Sequence, residues 1–411
     1  MDIFAATAPG LESIAAGELK AMGVRGNQEP GGVSFSGDNR LLYLANLHLR
    51  TPSRVIVRLG QFHASTFYEF ERRAKTIPWQ NFLPPASAVS VRVTCRKSRL
   101  YHSDAVAERL LGVIAKIASP GSDLRVAPAQ SEDGSNIEGD VQVAGEGSPN
   151  GDATARSQSF VVRIVNDQCE ISADSSGELL HRRGYRQEIA KAPLRETLAA
   201  AMILASGWQP SAPLIDPLCG SGTIPIEGAL IARRIAPGLR RSFQFMRWPS
   251  YDSALWKDLL SKAEAEIRHN SLAAATIRGA DRDDGAIAAA SRNAERAGVA
   301  EDIEFATRAL SDSLDSLADI ERGEGWVLTN PPYGIRVGDG ADLRNLYARL
   351  GSITQKPGWR VGILAAEARL ARQLGVPLRS RFETRNGGIP VSFLASENGG
   401  KSLSEQPDSG R

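Results

Sequence analysis

The sequence has 411 residues, 42% of them hydrophobic, which excludes a disordered chain and allows two or three domains with their own cores. Its net charge of +2 conceals a division: residues 50–109 hold eleven Lys/Arg against four Asp/Glu, whereas residues 123–152 hold seven acids and one arginine. Cys95, Cys169 and Cys219 are too few and too scattered for a disulfide framework or a metal site, which fits a reducing cytoplasm, and neither a secretory signal nor a membrane span is expected.

Residues 1–60 read as a small α+β unit. Leu11, Ile14, Ala15, Leu19 and Met22 share one helical face that Gly23 closes. Val33 and Phe35 alternate with small residues as in a strand, Asp38 caps a helix running through Leu49, and Arg54 to Leu59 alternates apolar and basic.

A second unit spans 61–174, with helices predicted at 66–75 and 103–118 and strands at 88–94, 160–165 and 169–173. Arg92, Arg96, Lys97 and Arg99, with Tyr101 and His102, cluster at a strand end and the next helix start, where phosphate contacts are well placed. Within this unit, residues 119–158 are rich in Gly, Ser, Pro, Asn and acids, lack periodicity, and read as a disordered insertion. Residues 175–193 form a basic linker whose Arg182, Arg183, Arg186 and Tyr185 are expected to line the entrance to a cofactor or RNA site.

Residues 194–396 alternate helices with apolar strands at 213–216, 275–280, 302–307, 325–329, 359–365, 380–386 and 389–395. This α/β pattern predicts a mainly parallel sheet covered on both faces, with ligands at the carboxyl ends of its strands. Asn386-Gly387-Gly388 joins the last two strands as a hairpin. An insertion at 237–270 carries Phe243, Phe245, Trp248, Tyr251 and Trp256; a helical cover with inward-packed aromatics is favoured over a platform for nucleotides. Residues 397–411 read as a disordered tail.

Two motifs carry the chemistry. Leu214-Ile215-Asp216-Pro217-Leu218-Cys219-Gly220-Ser221-Gly222-Thr223 runs from an apolar strand through an acid and a glycine turn into a helix. The loop lacks the Lys-Ser/Thr ending of a triphosphate loop, and an acid before the turn suits a ligand with a cationic amino group, pointing to S-adenosylmethionine. Asp281, at the end of the next strand, stands where a ribose-binding carboxylate belongs. Asn330-Pro331-Pro332-Tyr333 follows the buried-strand pattern Trp326 to Thr329 and offers an amide oxygen, unmasked carbonyls and a stacking ring for a planar base with an exocyclic amine. A cysteine nucleophile for methylation at a pyrimidine carbon is missing from residues 330–334, whereas adenine-N6 and glutamine-amide methylation use similar sites.

These motifs, together with Leu180-His181-Arg182-Arg183-Gly184-Tyr185-Arg186, Ala192-Pro193-Leu194-Arg195-Glu196, Ala236-Pro237-Gly238-Leu239, Leu49-Arg50-Thr51-Pro52-Ser53-Arg54-Val55 and Ile77-Pro78-Trp79, resemble the THUMP-containing RNA guanine-N2 methyltransferases of bacteria up to about Leu394. The resemblance implies a Rossmann-like class I methyltransferase domain with a seven-stranded sheet, preceded by a ferredoxin-like region (1–60) and a THUMP RNA-binding domain (61–174). It also implies methyl transfer to guanine N2, in 23S ribosomal RNA first and tRNA second, without a metal. Where the family carries an acid near the adenine this sequence has Ala309, so either Asp312 substitutes for it or the contact is absent. The rival from another class is a non-catalytic RNA-binding ribosome assembly factor.

Overall fold

A computed structural model describes residues 1–83, 88–117, 124–126, 157–188, 194–268, 276–315, 320, 324–332, 340–352 and 356–396. Eight strands of the N-terminal half form one sheet in the order β2-β3-β1-β4-β8-β7-β5-β6. They are β1 (Asp2–Ala6), β2 (Asn27–Glu29), β3 (Gly32–Ser36), β4 (Arg54–His63), β5 (Ala88–Arg96), β6 (Leu124–Val126), β7 (Ser157–Val165) and β8 (Gln168–Asp174). Helices α1 (Glu12–Ala21), α2 (Asn39–His48), α3 (Phe67–Ala74) and α4 (Ser103–Ile114) accompany them. Asp38 caps α2 by accepting from the Leu41 amide, and Thr66 caps α3 through Glu69.

The boundary expected at 60/61 falls inside β4. That strand is ten residues long, and it pairs with β1 over its first half and with β8 along most of its length, so one sheet runs through both expected units. The insertion expected at 119–158 is also not wholly apart from the sheet. Leu124–Val126 pairs in parallel with Val89–Val91, and Ser157 and Gln158 open β7. The rest of that span, like the tail at 397–411, lies outside the described residues.

The second half holds α5 (Glu196–Ser206), β9 (Leu214–Asp216), α6 (Thr223–Ala232), α7 (Ser253–Ala265), β10 (Ile277–Asp281), α8 (Asp284–Ala297), β11 (Ile303–Thr307), β12 (Gly325–Thr329), β13 (Trp359–Ala365), β14 (Leu378–Asn386) and β15 (Ile389–Ser396). Its sheet order is β11-β10-β9-β12-β13-β15-β14, parallel through β13 and closed by the antiparallel β15 and the β14–β15 hairpin. The chain winds outward from β9 to β11 and then returns to β12 on the other side of β9. In such sheets a reversal of this kind marks the usual ligand position, the crevice beyond the carboxyl ends of the two strands that flank it, here β9 and β12.

The two halves share a core. Phe243, Phe245, Trp248 and Trp256 of the 237–270 insertion are buried in the N-terminal cluster, where Phe245 stacks on Tyr43 at 4.3 Å and Trp256 meets Tyr43 edge-on at 6.0 Å. The aromatics therefore pack inward, and the nucleotide platform is excluded for them. Trp248 also donates through Nε1 to the buried Gln158 amide oxygen of β7, 2.7 Å away. At Gly238 a side chain would lie 2.8 Å from the Asn46 carbonyl, so the insertion meets α2 backbone to backbone.

Candidate active site

The strand β9 is short and fully buried, and Asp216 is its last residue. The chain then turns through Pro217 and Leu218, whose amide donates to Asp216 Oδ1 at 3.2 Å. Cys219 tucks under β10, its amide bonded to the Ala280 carbonyl at 2.9 Å. Burial raises its thiol well above the ordinary value, so Cys219 is an inert packing group. Gly222 adopts φ +83°, and a Cβ there would approach Ala290 Cβ to 2.9 Å and Phe305 to 3.1 Å; the turn has room only for glycine. Thr223 then starts α6. Pro225, in the first turn, costs no intrahelical bond because amides there have no partner within the helix.

Asp281 ends β10 beside this loop. Its Oδ2 accepts from the Gly220 amide at 3.0 Å and its Oδ1 from the Asp283 amide at 3.1 Å. The carboxylate is thus fixed in orientation while keeping lone pairs for a ligand hydroxyl. Asp216 is in a different condition. Burial raises its carboxyl to about 7; the Thr329 hydroxyl and the Leu218 amide pull the other way, and the charge of Asp281 adds to the rise. Two acids at the mouth of one crevice, one of them completely buried, favour a cationic ligand group over a phosphate.

The same crevice receives the second motif. β12 pairs in parallel with β9, with Trp326 opposite Leu214 and Val327 opposite Ile215, which brings Thr329 against Asp216 and Asn330 to the strand end. The Asn330 Oδ1 is buried and has no hydrogen-bond partner among the described residues. Such an acceptor costs roughly 1–3 kcal/mol unless a donor arrives. Pro331 is buried and Pro332 half-buried, and neither has an amide hydrogen to compete for that oxygen. Tyr333 lies outside the described residues. Asp312, the expected substitute near the adenine, is exposed in the short helix 310–315, and the Ser311 hydroxyl donates to it at 3.1 Å.

The expected RNA-facing arginines separate into two groups. Arg96, Lys97 and Arg99 are exposed on a tight turn. Asp167 holds that turn: its side chain accepts from the Arg99 amide at 2.7 Å, and its own amide donates to Ser98 Oγ at 3.1 Å. Tyr101, 67% exposed, stands next to it, and Arg182 is exposed on the linker. Arg92 instead lies largely buried beside Arg54 and Asp174, where burial first and Arg54 second lower its guanidinium to about 10. Arg183 and Arg186 also turn inward. Arg183 pairs with the fully buried Glu227 of α6 and donates to the Arg50 carbonyl, 2.6 Å away. Arg186 pairs with Glu196 at 3.0 Å and donates to the Leu194 carbonyl at 2.8 Å. Of these three, Arg183 joins the linker to both halves and Arg186 ties it to the start of α5, whereas Arg92 stays within the N-terminal half.

Glu227 is the residue that the sequence reading missed. It also accepts from Tyr185 Oη at 2.8 Å, and Arg50 approaches it to 3.9 Å. A lone acid inside the otherwise apolar helix Thr223–Ala232 was a readable signal of a buried ion pair. Asn293 of α8, fully buried behind the glycine turn, gave no such signal among the polar positions of an amphipathic helix.

Comparison with known proteins places this geometry among relatives. Residues 183–392 match the family model of the RMKL-like methyltransferase domain, and residues 2–56 match that of the RlmL ferredoxin-like domain. A Synechocystis protein provisionally named as an RNA methyltransferase is 33% identical over 400 residues, covering 96% of each chain. The ribosomal RNA large subunit methyltransferase K/L of Syntrophotalea carbinolica is 32% identical over 400 residues, which are 95% of this chain but 53% of that protein, so the chain spans about half of that relative's length. Among solved structures, SMU.472, named as a methyltransferase and complexed with SAH, superposes with a TM-score of 0.79 at 26% identity, covering 97% of this chain and 98% of the other.

Proposed function

The chain belongs to the RMKL-like methyltransferase family, and from that premise we propose that it methylates the N2 amino group of a guanine in structured RNA, with 23S ribosomal RNA the first candidate and tRNA the second. Its cofactor is S-adenosylmethionine, which when bound supplies an electrophilic methyl group on a good leaving group. The residues at the crevice fit that molecule: Asp216 offers a carboxylate to its ammonium group, Asp281 offers one to ribose hydroxyls, and the Gly220–Gly222 turn admits it against the backbone. Cys219, Ser221, Thr223 and Pro217 complete the wall of that turn.

The observation that carries the reading is the buried amide oxygen of Asn330, which has no partner among the described residues. An exocyclic amine is the donor it lacks. A guanine amino nitrogen is a poor nucleophile because its lone pair delocalises into the ring. Hydrogen bonds from its two N–H groups to Asn330 Oδ1 and to the Pro331 carbonyl would favour a more pyramidal, electron-richer nitrogen. The chief demand is alignment, since a well-positioned pair of reactants removes most of the entropic barrier. Tyr333 stacks on the base, which is already unpaired or turned out of its helix. The proton leaves the cationic amine after transfer, so no strong base is needed. The exposed turn at Arg96, Lys97 and Arg99, with Arg182 on the linker, supplies positive charge for the RNA backbone.

The test is direct. Purified protein with S-adenosylmethionine is incubated with transcribed 23S rRNA and with tRNA, and the digested nucleosides are separated by mass spectrometry. N2-methylguanosine in the rRNA is the expected product. N6-methyladenosine in its place overturns the guanine assignment, and cofactor binding without transfer to either RNA favours the assembly-factor reading.

A further inference from the structure

The glycine turn is held from behind as well as from the sheet. Asn293 of α8 is fully buried, and its one amide nitrogen donates to two carbonyls at once: Ser221 of the turn at 3.1 Å and Glu188 of the linker at 3.2 Å. Its Oδ1 accepts from Arg296 at 2.6 Å, which fixes which way the amide faces. Arg296 in turn donates through Nε to the Tyr185 carbonyl at 2.9 Å. The side chain of Glu188 is clasped by Arg292 and approached by Arg296 at 3.4 Å. Tyr185 and Arg183 reach Glu227, and Arg183 reaches the Arg50 carbonyl of the N-terminal half. A continuous run of polar contacts therefore joins the N-terminal half to the backbone of the cofactor turn, and among the described residues the Asn293 amide links the strap at Glu188 to Ser221.

We propose that Asn293 is a positioning residue for S-adenosylmethionine: it sets the Ser221 carbonyl, and with it the Gly220–Gly222 turn, against the linker strap at Glu188. It touches no reacting atom. Its two donated bonds are made whether or not RNA is present, so the consequence falls on cofactor affinity and not on the chemical step. The proposal rests on the cofactor assignment and is independent of which base receives the methyl group.

Asn293→Asp keeps the shape and removes both donors, leaving a carboxylate oxygen facing two carbonyls. Calorimetric titration with S-adenosylmethionine should show the dissociation constant rising about tenfold or more relative to the unsubstituted protein. In steady state, the KM for the cofactor should rise by the same factor while kcat at saturating cofactor stays within about twofold. A residue that merely supports the fold gives the opposite pattern, with fewer active molecules, a lower kcat and an unchanged dissociation constant; that result overturns the proposal. Should Asn293→Asp fail to fold, Arg296→Met takes its place. It lies on a partly exposed side chain, frees the amide to rotate, and should weaken cofactor binding several-fold; wild-type affinity in that variant overturns the proposal equally. If the unsubstituted protein itself takes up no S-adenosylmethionine, the cofactor assignment fails before Asn293 is in question.

Discussion

The Thr329 hydroxyl lies buried near the Asp216 carboxyl of the neighbouring strand, one residue before Asn330, close enough to favour its charge but without a well-formed hydrogen bond among the described residues. It offsets part of the rise that burial imposes, yet the carboxyl still titrates at about 7, against 3.8 for an ordinary aspartate. The sign of the consequence follows from linkage. A raised acid favours the folded state fully below about 3.8, and that contribution disappears as pH climbs through about 7 in the cofactor-free protein. A cationic ligand binds the ionised form, so cofactor uptake releases a proton there. Affinity for S-adenosylmethionine should tighten by up to about tenfold per pH unit below pH 7 and level off above it. Titrations at pH 6, 7 and 8 measure this, and Asp216→Asn should bind weakly with no such slope. A flat profile in the unsubstituted protein would show that Asp216 does not meet the cation.

Asn330→Ala removes the acceptor without touching the glycine turn. Methyl transfer should fall by at least two to three orders of magnitude while the cofactor dissociation constant stays within about twofold, because hydrogen bonds made to the reacting amine act on the transferring step. Single-turnover transfer and calorimetry on the same preparation separate the two quantities. Retained turnover would remove Asn330 from the chemistry.

The second half of the fold was legible because its signals are local. Every expected strand between 213 and 395 is present within a few residues, since apolar runs bounded by glycine, acid or proline specify buried parallel strands with little help from elsewhere. The N-terminal half was harder. β1 is an unbroken apolar run after Asp2 with no alternation to read, β2 is only three residues long, and β4 crosses the expected boundary because one strand can serve two units. At the site, Asp216, Asp281 and Asn330 were visible as strand-end residues in motifs. The roles of the arginines were not. Arg183 and Arg96 look alike in a basic stretch; the position of Glu227 in space makes the first a buried partner, while the second is exposed on a turn.

That difference is itself testable. Breaking a buried ion pair strands the remaining charge and costs about 3–5 kcal/mol. Arg183→Ala should therefore lower the melting temperature by several degrees, leaving the buried Glu227 with only the more distant Arg50 and the Tyr185 hydroxyl. Replacing Arg96, Lys97 and Arg99 together should leave the melting temperature nearly unchanged, weaken RNA binding and flatten its dependence on salt by about one unit of slope per lost phosphate contact. Thermal melts and RNA titrations at 50 and 200 mM salt give both readouts. A stable Arg183→Ala protein with weakened RNA binding would reverse the assignment.

The shared core makes a prediction about the whole molecule. Tyr43 of α2 packs against Phe245, Tyr251 and Trp256, all supplied by an insertion between the first two strands of the other half. Residues 1–174 expressed alone would expose that aromatic surface, and the buried Gln158 would lose the Trp248 and Gln244 donors that satisfy its amide oxygen. Loss of such an aromatic costs about 3–5 kcal/mol, a large share of a domain's stability. Trp256→Ala in the full chain should lower its unfolding midpoint in denaturant, and both halves should still unfold in one transition because the insertion packs into the N-terminal core and Leu11 packs into the core of the second half. The isolated fragment should show no cooperative transition by circular dichroism. A sharp, fully reversible melt of residues 1–174 would mean that the two cores are separable, and that the insertion covers the N-terminal half without completing it.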